Sequence, residues 1–221
     1  MTLETIERET GSAPGAAIIV MHGLGADGGD FVPICDEIDL TGAGAVRYVF
    51  PHAPVRPVTI NSGYPMRAWF DVLSFERGQN EDEAGLRESQ AAIAELVERE
   101  IARGVPAARI VLMGFSQGCA MTLMTGLRFG QRLAGLVGLS GYLPLADRLA
   151  AERSDANADV PIFLAHGIAD PVIPFARGEA SRDALSALGY PVEWHPYPMV
   201  HTVTLQEIRD IERFLQRVLA A

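Results

Sequence analysis

Apolar residues follow two different patterns along the chain, and the two patterns alternate. Residues 16–21 form a continuous apolar run, Ala-Ala-Ile-Ile-Val-Met, as expected for a strand buried on both faces of a sheet. Shorter apolar or alternating runs predict further strands at 47–50, 110–113, 136–139, 162–165 and 192–197.

The segments between these runs have the periodicity of helices. Segment 81–103 places its apolar residues along one side, and a glycine follows directly after it, as is common at helix ends. Thr204 and Glu207 form a capping box at the start of the last helix. Further helices are predicted at 119–129, 176–188 and 204–219.

Alternation of strands and helices favours one α/β domain over residues 1–221. We expect a mostly parallel central sheet with helices on both faces and right-handed crossovers. In such a sheet the functional groups gather at the carboxyl ends of the strands.

The charge and composition of the chain limit the kinds of partner that it can bind. The 221 residues carry a net charge of -10 and a pI near 4.9, which repels nucleic acid and anionic membrane surfaces. No run reaches the length of a membrane span, and the acidic segment 1–11 is unlike a signal peptide, so we expect a cytoplasmic protein without stable membrane insertion. The two cysteines, Cys35 and Cys119, have the spacing of neither a disulfide scaffold nor a zinc site.

The candidate nucleophile is Ser116. Segment 114–118 reads Gly-Phe-Ser-Gln-Gly and lies between a predicted strand and a predicted helix. This is the context of a nucleophile elbow, in which a tight turn presents a serine at the edge of the sheet. A serine in this position can perform acyl transfer through a covalent intermediate.

Three histidines follow Ser116 and could supply the base that such a serine needs. His195 lies inside an alternating strand, and His166 ends a strand before a glycine. His201 lies in a loop between a strand and the last helix, where a base can reach over the serine, so we favour it. His22 precedes the nucleophile, and we expect it to shape its own loop.

The acid that orients the base is predicted to be Asp170. It follows strand 162–165 directly, at the carboxyl end, although an Asp before a Pro is also common in turns. Three other carboxylates fit the chain order, but none follows a strand as directly: Asp147, Asp155 and Asp159.

Two backbone N–H groups should hold the oxyanion of the acyl intermediate. One is that of Gln117, directly after the nucleophile, and the other is expected from the Gly-rich loop 22–29, where we choose Leu24. Segment 23–25 has the Gly-x-Gly of a nucleotide loop, but it lacks the third glycine and the Gly-Lys-Ser/Thr that a phosphate site requires.

Taken together, these motifs resemble one family, the serine carboxylesterases and acyl-protein thioesterases of the α/β-hydrolase superfamily. The resemblance covers about residues 16–215. It rests on five motifs: His-Gly-Leu-Gly-Ala at 22–26, Pro-His-Ala-Pro-Val-Arg-Pro-Val-Thr at 51–59, Trp-Phe-Asp at 69–71, Gly-Phe-Ser-Gln-Gly at 114–118, and His166-Gly167 with Asp170 and Pro174.

The resemblance implies the same triad and oxyanion amides, an ester or acyl-thioester substrate, no metal, no organic cofactor and no large lid. Homodimers are frequent in the family. Two departures bear on substrate preference: Val200 replaces the usual glycine before the histidine, and segment 63–68 lacks the usual proline after its methionine.

Apolar residues near the motif loops are candidates to line an acyl groove, with burial in the core as the alternative. They are Trp69, Phe70, Leu73 and Val172, together with Leu24. Other functions left open are a lysophospholipase-type lipid esterase, a peptidase with the same triad, and an inactive fold used as a binding module.

Overall fold

The computed structural model describes residues 3–73 and 81–220. Seven strands of the described residues form one sheet: β1 (Thr5–Glu9), β2 (Ala16–Met21), β3 (Val46–Pro51), β6 (Ile110–Phe115), β7 (Gly135–Leu139), β8 (Ile162–Gly167) and β9 (Val192–Tyr197). Their order across the sheet is β1-β3-β2-β6-β7-β8-β9, in which β1 runs antiparallel to β3 and the other neighbours are parallel. A separate antiparallel hairpin is formed by β4 (Val55–Val58) and β5 (Tyr64–Arg67).

Strand β2 has buried side chains on both faces of the sheet. All six of its residues are buried, and successive side chains enter opposite hydrophobic clusters. Ala17, Ile19 and Met21 belong to one cluster, whereas the alternate residues of the strand belong to the other. A continuous apolar run is therefore what a central strand requires.

Six helices of the described residues cover the sheet. They are α1 (Ile34–Glu37), α2 (Glu83–Ala102), α3 (Gln117–Gly126), α4 (Ala146–Glu152), α5 (Phe175–Ala187) and α6 (Leu205–Val218). Buried residues of α2, α3, α4 and α5 belong to the first cluster, and those of α1 and α6 to the second. The predicted layered α/β architecture is confirmed.

The capping box at the last helix is present. The hydroxyl oxygen of Thr204 accepts from the Glu207 N–H, and the Glu207 carboxylate accepts from the Thr204 N–H. Helix α2 begins two residues later than predicted, because Asp82 caps it by accepting from the Gly85 N–H.

The edge strand β1 was not predicted, because its sequence Thr-Ile-Glu-Arg-Glu is mostly charged. Ion pairs attach it to its neighbours: Glu9 contacts Arg47 of β3 at 2.8 Å, and Glu7 contacts Arg99 of α2 and Arg103, the residue directly after α2, at 3.0 Å each. Charged residues on an edge strand also discourage pairing with other chains.

Candidate active site

Ser116 occupies the sharp turn between β6 and α3. Its φ of 56° and ψ of -115° lie outside the usual regions for a residue with a side chain, and such strain is typical of a nucleophile elbow. The two flanking glycines make the turn possible. A Cβ on Gly114 would lie 2.2 Å from the Gly118 carbonyl carbon, and one on Gly118 would lie 2.1 Å from the Met21 oxygen.

The two amides predicted to form the oxyanion site have N–H groups available. The N–H groups of Leu24 and Gln117 donate to no acceptor among residues 3–73 and 81–220. Gln117 begins α3, so its N–H also belongs to the positive end of the helix dipole. Gly23, next to Leu24, comes so close to the serine that a Cβ there would lie 3.4 Å from the Ser116 Cβ.

His22 lies beneath this loop and is bonded on both ring nitrogens. Its Nδ1–H donates to the Gly23 carbonyl at 2.7 Å, and its Nε2 accepts from the Ala53 N–H at 3.0 Å. The ring is 1% exposed, and burial lowers the pKa of His22. It therefore supports the loop as a neutral group, in the role that we expected for it.

Asp170 and His201 are joined directly. His201 Nδ1 lies 2.7 Å from Asp170 Oδ2, while Asp170 Oδ1 accepts from the N–H groups of Val172 at 2.8 Å and Ile173 at 2.9 Å. The carboxylate side chain is 0% exposed, so these donors take the place of water around it. An acceptor on Nδ1 keeps the proton there and leaves Nε2 free to act as a base.

His201 also contacts the residue that directly precedes the nucleophile. Its ring packs against that of Phe115, the residue before Ser116, with 4.6 Å between the ring centroids. The histidine is partly exposed, with a side chain 16% accessible to solvent. Ser116, Asp170 and His201 thus follow β6, β8 and β9 at one edge of the sheet.

The Gln117 side chain has a structural role that the sequence did not reveal. Its Oε1 accepts from the Trp69 N–H at 3.0 Å, and its Nε2 donates to the Phe70 carbonyl at 2.9 Å. Trp69 is 0% exposed, and its indole N–H donates to the His22 carbonyl at 2.9 Å. Trp69 and Phe70 thus lie in the core beneath the site, in agreement with the alternative interpretation, and offer a ligand almost no surface.

Other predicted lining residues are accessible. Leu73 is 43% exposed and Val172 is 39% exposed. Two further apolar residues near the predicted acid and base are also exposed. Ile168 lies two residues before Asp170, and Val200 directly precedes His201. They were not among the candidates predicted to line the site, although an apolar residue close to each predicted catalytic group was visible in the sequence.

Hairpin β4–β5 contains most of the atypical segment 63–68 and supports the Gly-rich loop 22–29. The carbonyl of Arg67 accepts from the Gly25 N–H at 2.8 Å, and the Arg67 guanidinium donates to the Ala53 carbonyl at 2.8 Å.

Within the described residues, no three His, Cys, Asp or Glu side chains are grouped closely enough to hold a metal ion. No helix of residues 3–73 or 81–220 is long and apolar enough to cross a membrane.

The parallel sheet, the strained serine after a central strand and the buried Asp–His pair define an α/β-hydrolase. A sequence model of the phospholipase/carboxylesterase family matches residues 3–219. The chain belongs to this family and is a hydrolase of ester bonds.

Relatives of similar length support this membership. Acyl-protein thioesterase 1 of Yarrowia lipolytica is 39% identical over 206 residues, which cover 91% of each chain. Acyl-protein thioesterase 1 of Neurospora crassa is 40% identical over 90% of this chain and 85% of its own length. Among solved structures, Arabidopsis thaliana SOBER1 superposes with a TM-score of 0.88 at 31% identity, covering 92% of this chain and 99% of its own. Zea mays acyl-protein thioesterase 2 gives 0.87 at 30% identity, with 98% and 99% covered.

Proposed function

We propose that this hydrolase cleaves carboxylic esters and acyl thioesters through an acyl-enzyme on Ser116, with His201 as base and Asp170 as the orienting acid. The observation that carries the proposal is the 2.7 Å contact between His201 Nδ1 and a fully buried Asp170 carboxylate. The His201 ring packs against Phe115, which directly precedes the serine in the strained turn. That arrangement is what activation of a serine hydroxyl requires.

In the proposed reaction His201 Nε2 removes the Ser116 proton while the serine oxygen attacks the acyl carbonyl. The N–H groups of Leu24 and Gln117 stabilise the oxyanion. His201 then protonates the leaving alcohol or thiol, and the acyl group stays on the serine. The same histidine activates a water molecule that releases the acid.

Asp170 contributes by holding the proton on His201 Nδ1 and by stabilising the imidazolium that forms in each step. The apolar rim of Leu73, Ile168, Val172 and Val200 supports an acyl group rather than a charged group as the acid part of the substrate. Thioesters are included because two relatives at 39% and 40% identity are named acyl-protein thioesterases.

The decisive experiment compares wild type with Ser116→Ala on p-nitrophenyl esters from acetate to laurate. We expect the variant to lose about 10⁴-fold or more in kcat while its thermal unfolding stays close to that of wild type. Hydrolysis by the variant at the wild-type rate would refute the mechanism.

The same series tests the apolar rim. We expect kcat/KM to depend on acyl length, because each buried methylene contributes about 0.8 kcal/mol. A flat profile would exclude an acyl groove, and rapid cleavage of peptide amides would favour a peptidase. Acyl thioesters of matched chain length, followed by thiol release, test the second substrate class.

We also propose that the protein acts in the cytoplasm on small acyl substrates, that it can form a homodimer as the family resemblance implies, and that its net charge of -10 keeps it from binding nucleic acid. Sedimentation equilibrium at several protein concentrations tests the dimer, and a single monomeric species would exclude it.

A further inference from the structure

His166 is a second buried histidine at the carboxyl end of β8, four residues before Asp170. The proposed mechanism does not use it. We propose that His166 is a positioning residue that holds the segment 167–173 closed and fixes the Asp170 carboxylate against His201. This inference rests on the proposed function of the Asp170–His201 pair.

A hydrogen bond from His166 closes the segment 167–173. His166 Nε2 lies 2.9 Å from the carbonyl oxygen of Ile173, and because a carbonyl only accepts, the proton must be on Nε2. The N–H of the same Ile173 donates to Asp170 Oδ1 at 2.9 Å. One residue therefore connects the ring of His166 to the carboxylate.

The Nε2–H of His166 also lies near the other oxygen of the Asp170 carboxylate. His166 Nε2 lies 3.5 Å from Asp170 Oδ2, the oxygen that faces His201 Nδ1 at 2.7 Å. Asp170 thus has two main-chain donors on one oxygen and an imidazole on each side of the other. Rotation of the carboxylate away from His201 would break contacts on both oxygens.

Helix α5 confines the His166 ring. A Cβ on Gly178 would lie 2.5 Å from His166 Nδ1 and 3.0 Å from its Cγ. The rings of Phe175 and Trp194 are also neighbours, with centroids 6.0 Å and 6.4 Å from that of His166. The helix accepts the ring only because residue 178 has no side chain.

These contacts also exclude a direct role for His166 in the chemistry. Its Nε2–H is directed at Ile173 and Asp170, and the residue is 1% exposed. It cannot contact a substrate, so its influence must pass through Asp170.

The test uses three variants of the full chain and one control variant. His166→Leu removes the donor, and His166→Gln retains a side-chain N–H at a similar reach. Gly178→Ala displaces the ring without changing His166 or the triad, and Ser186→Ala, at an exposed position of the same helix, is the matched control. For each variant we would measure kcat/KM on a p-nitrophenyl ester, thermal unfolding, and the downfield proton resonance of His201 Nδ1–H by NMR.

We expect His166→Leu to lower kcat/KM by about 10- to 100-fold and to shift or remove the downfield resonance, because displacement of a catalytic group by about 1 Å has effects of this size. Gly178→Ala should reproduce both changes at smaller size. His166→Gln should restore most of the activity and the resonance, and Ser186→Ala should change neither.

The inference would be overturned if folded His166→Leu or Gly178→Ala kept the wild-type kcat/KM and resonance. If His166→Leu does not fold, Gly178→Ala and His166→Gln decide by the same readouts. Failure of the proposed function has a different signature, because in that case wild type would show no esterase activity that depends on Ser116.

Discussion

His22 and His166 invite comparison, because the same dipeptide, His-Gly, ends or follows a buried strand at both places. Both rings are 1% exposed, and burial lowers the pKa of both. Their bonds differ. His22 uses both nitrogens on main-chain groups of Gly23 and Ala53, whereas His166 uses one N–H on the Ile173 carbonyl and lies 3.5 Å from Asp170.

The difference shows how two loops at one sheet edge are built for different tasks. The loop around His22 is proposed to hold the Leu24 N–H unpaired and in place, and His22 fixes it through main-chain groups of Gly23 and Ala53. The loop after His166 must orient a charged side chain, so the histidine reaches the carboxylate itself. The histidine proposed to transfer protons, His201, is the more exposed one, which access to substrate requires.

Both loops also depend on a glycine packed against main-chain oxygens, and substitution there should have the largest effect. A Cβ on Gly118 would lie 2.1 Å from the Met21 oxygen, and one on Gly167 would lie 2.5 Å from those of Met199 and Val200. We expect Gly118→Ala to lower the free energy of unfolding by about 3–5 kcal/mol, and Gly167→Ala by somewhat less.

Denaturant unfolding of both variants measures this. Gly42→Ala is the control, because a Cβ there meets nothing within 4 Å. Equal unfolding midpoints for Gly118→Ala and Gly42→Ala would show that the elbow does not need its close approach.

The next largest effect separates the two histidines. His22→Leu leaves the Gly23 carbonyl and the Ala53 N–H without partners in the interior. We expect a loss of about 2–4 kcal/mol in unfolding free energy and a lower kcat, because each unpaired buried group costs about 1–3 kcal/mol.

Proton NMR makes this comparison specific. His22→Leu should keep the downfield resonance of His201 Nδ1–H, because the two ring nitrogens of His22 are bonded to Gly23 and Ala53 and not to Asp170. His166→Leu should shift or remove that resonance, because His166 lies 3.5 Å from Asp170 and is bonded to Ile173. Disappearance of that resonance in a folded His22→Leu protein would mean that the two loops are one coupled unit.

The sequence predicted the buried strands and the chain order of the site residues, because these depend on local patterns. Ser116, Asp170 and His201 each follow a strand whose apolar run is readable, and parallel pairing brings strand ends to one edge. The strain at Ser116 and the Asp170–His201 contact agree with this prediction.

Features that depend on distant partners could not be predicted. Hairpin β4–β5 contains Pro57 and Pro65, which argue against strands in a sheet interior, yet both belong to a two-stranded ribbon. Burial of Trp69 depends on the side chain of Gln117, 48 residues later in the chain. The ring of His166 fits only because Gly178 lies opposite, and no local pattern indicates that pairing.

The smallest expected effect concerns side chains whose charged form is disfavoured by burial. Besides the two histidines, these include Glu207, which belongs to the capping box at the start of α6. Burial raises the pKa of Glu207 to about 8, and within residues 3–73 and 81–220 its Oε1 has no hydrogen-bond partner. Unfolded Glu ionises near pH 4.5, so this group makes the protein less stable as the pH rises from about 4.5 to 8. The lowered pKa values of His22 and His166 act in the opposite direction, since the unfolded state binds protons first as the pH falls below about 6.5.

Stability should therefore decrease on both sides of weakly acidic pH, for different reasons on each side. We expect Glu207→Gln to remove the decrease on the alkaline side, so that its stability relative to wild type improves by about 1–3 kcal/mol between pH 5 and pH 8. Urea unfolding across this range measures the difference, with Glu37→Gln as the exposed control. If wild type and Glu207→Gln keep a constant difference over the range, Glu207 is ionised in the folded protein, and only the two histidines among these three groups are held neutral by burial.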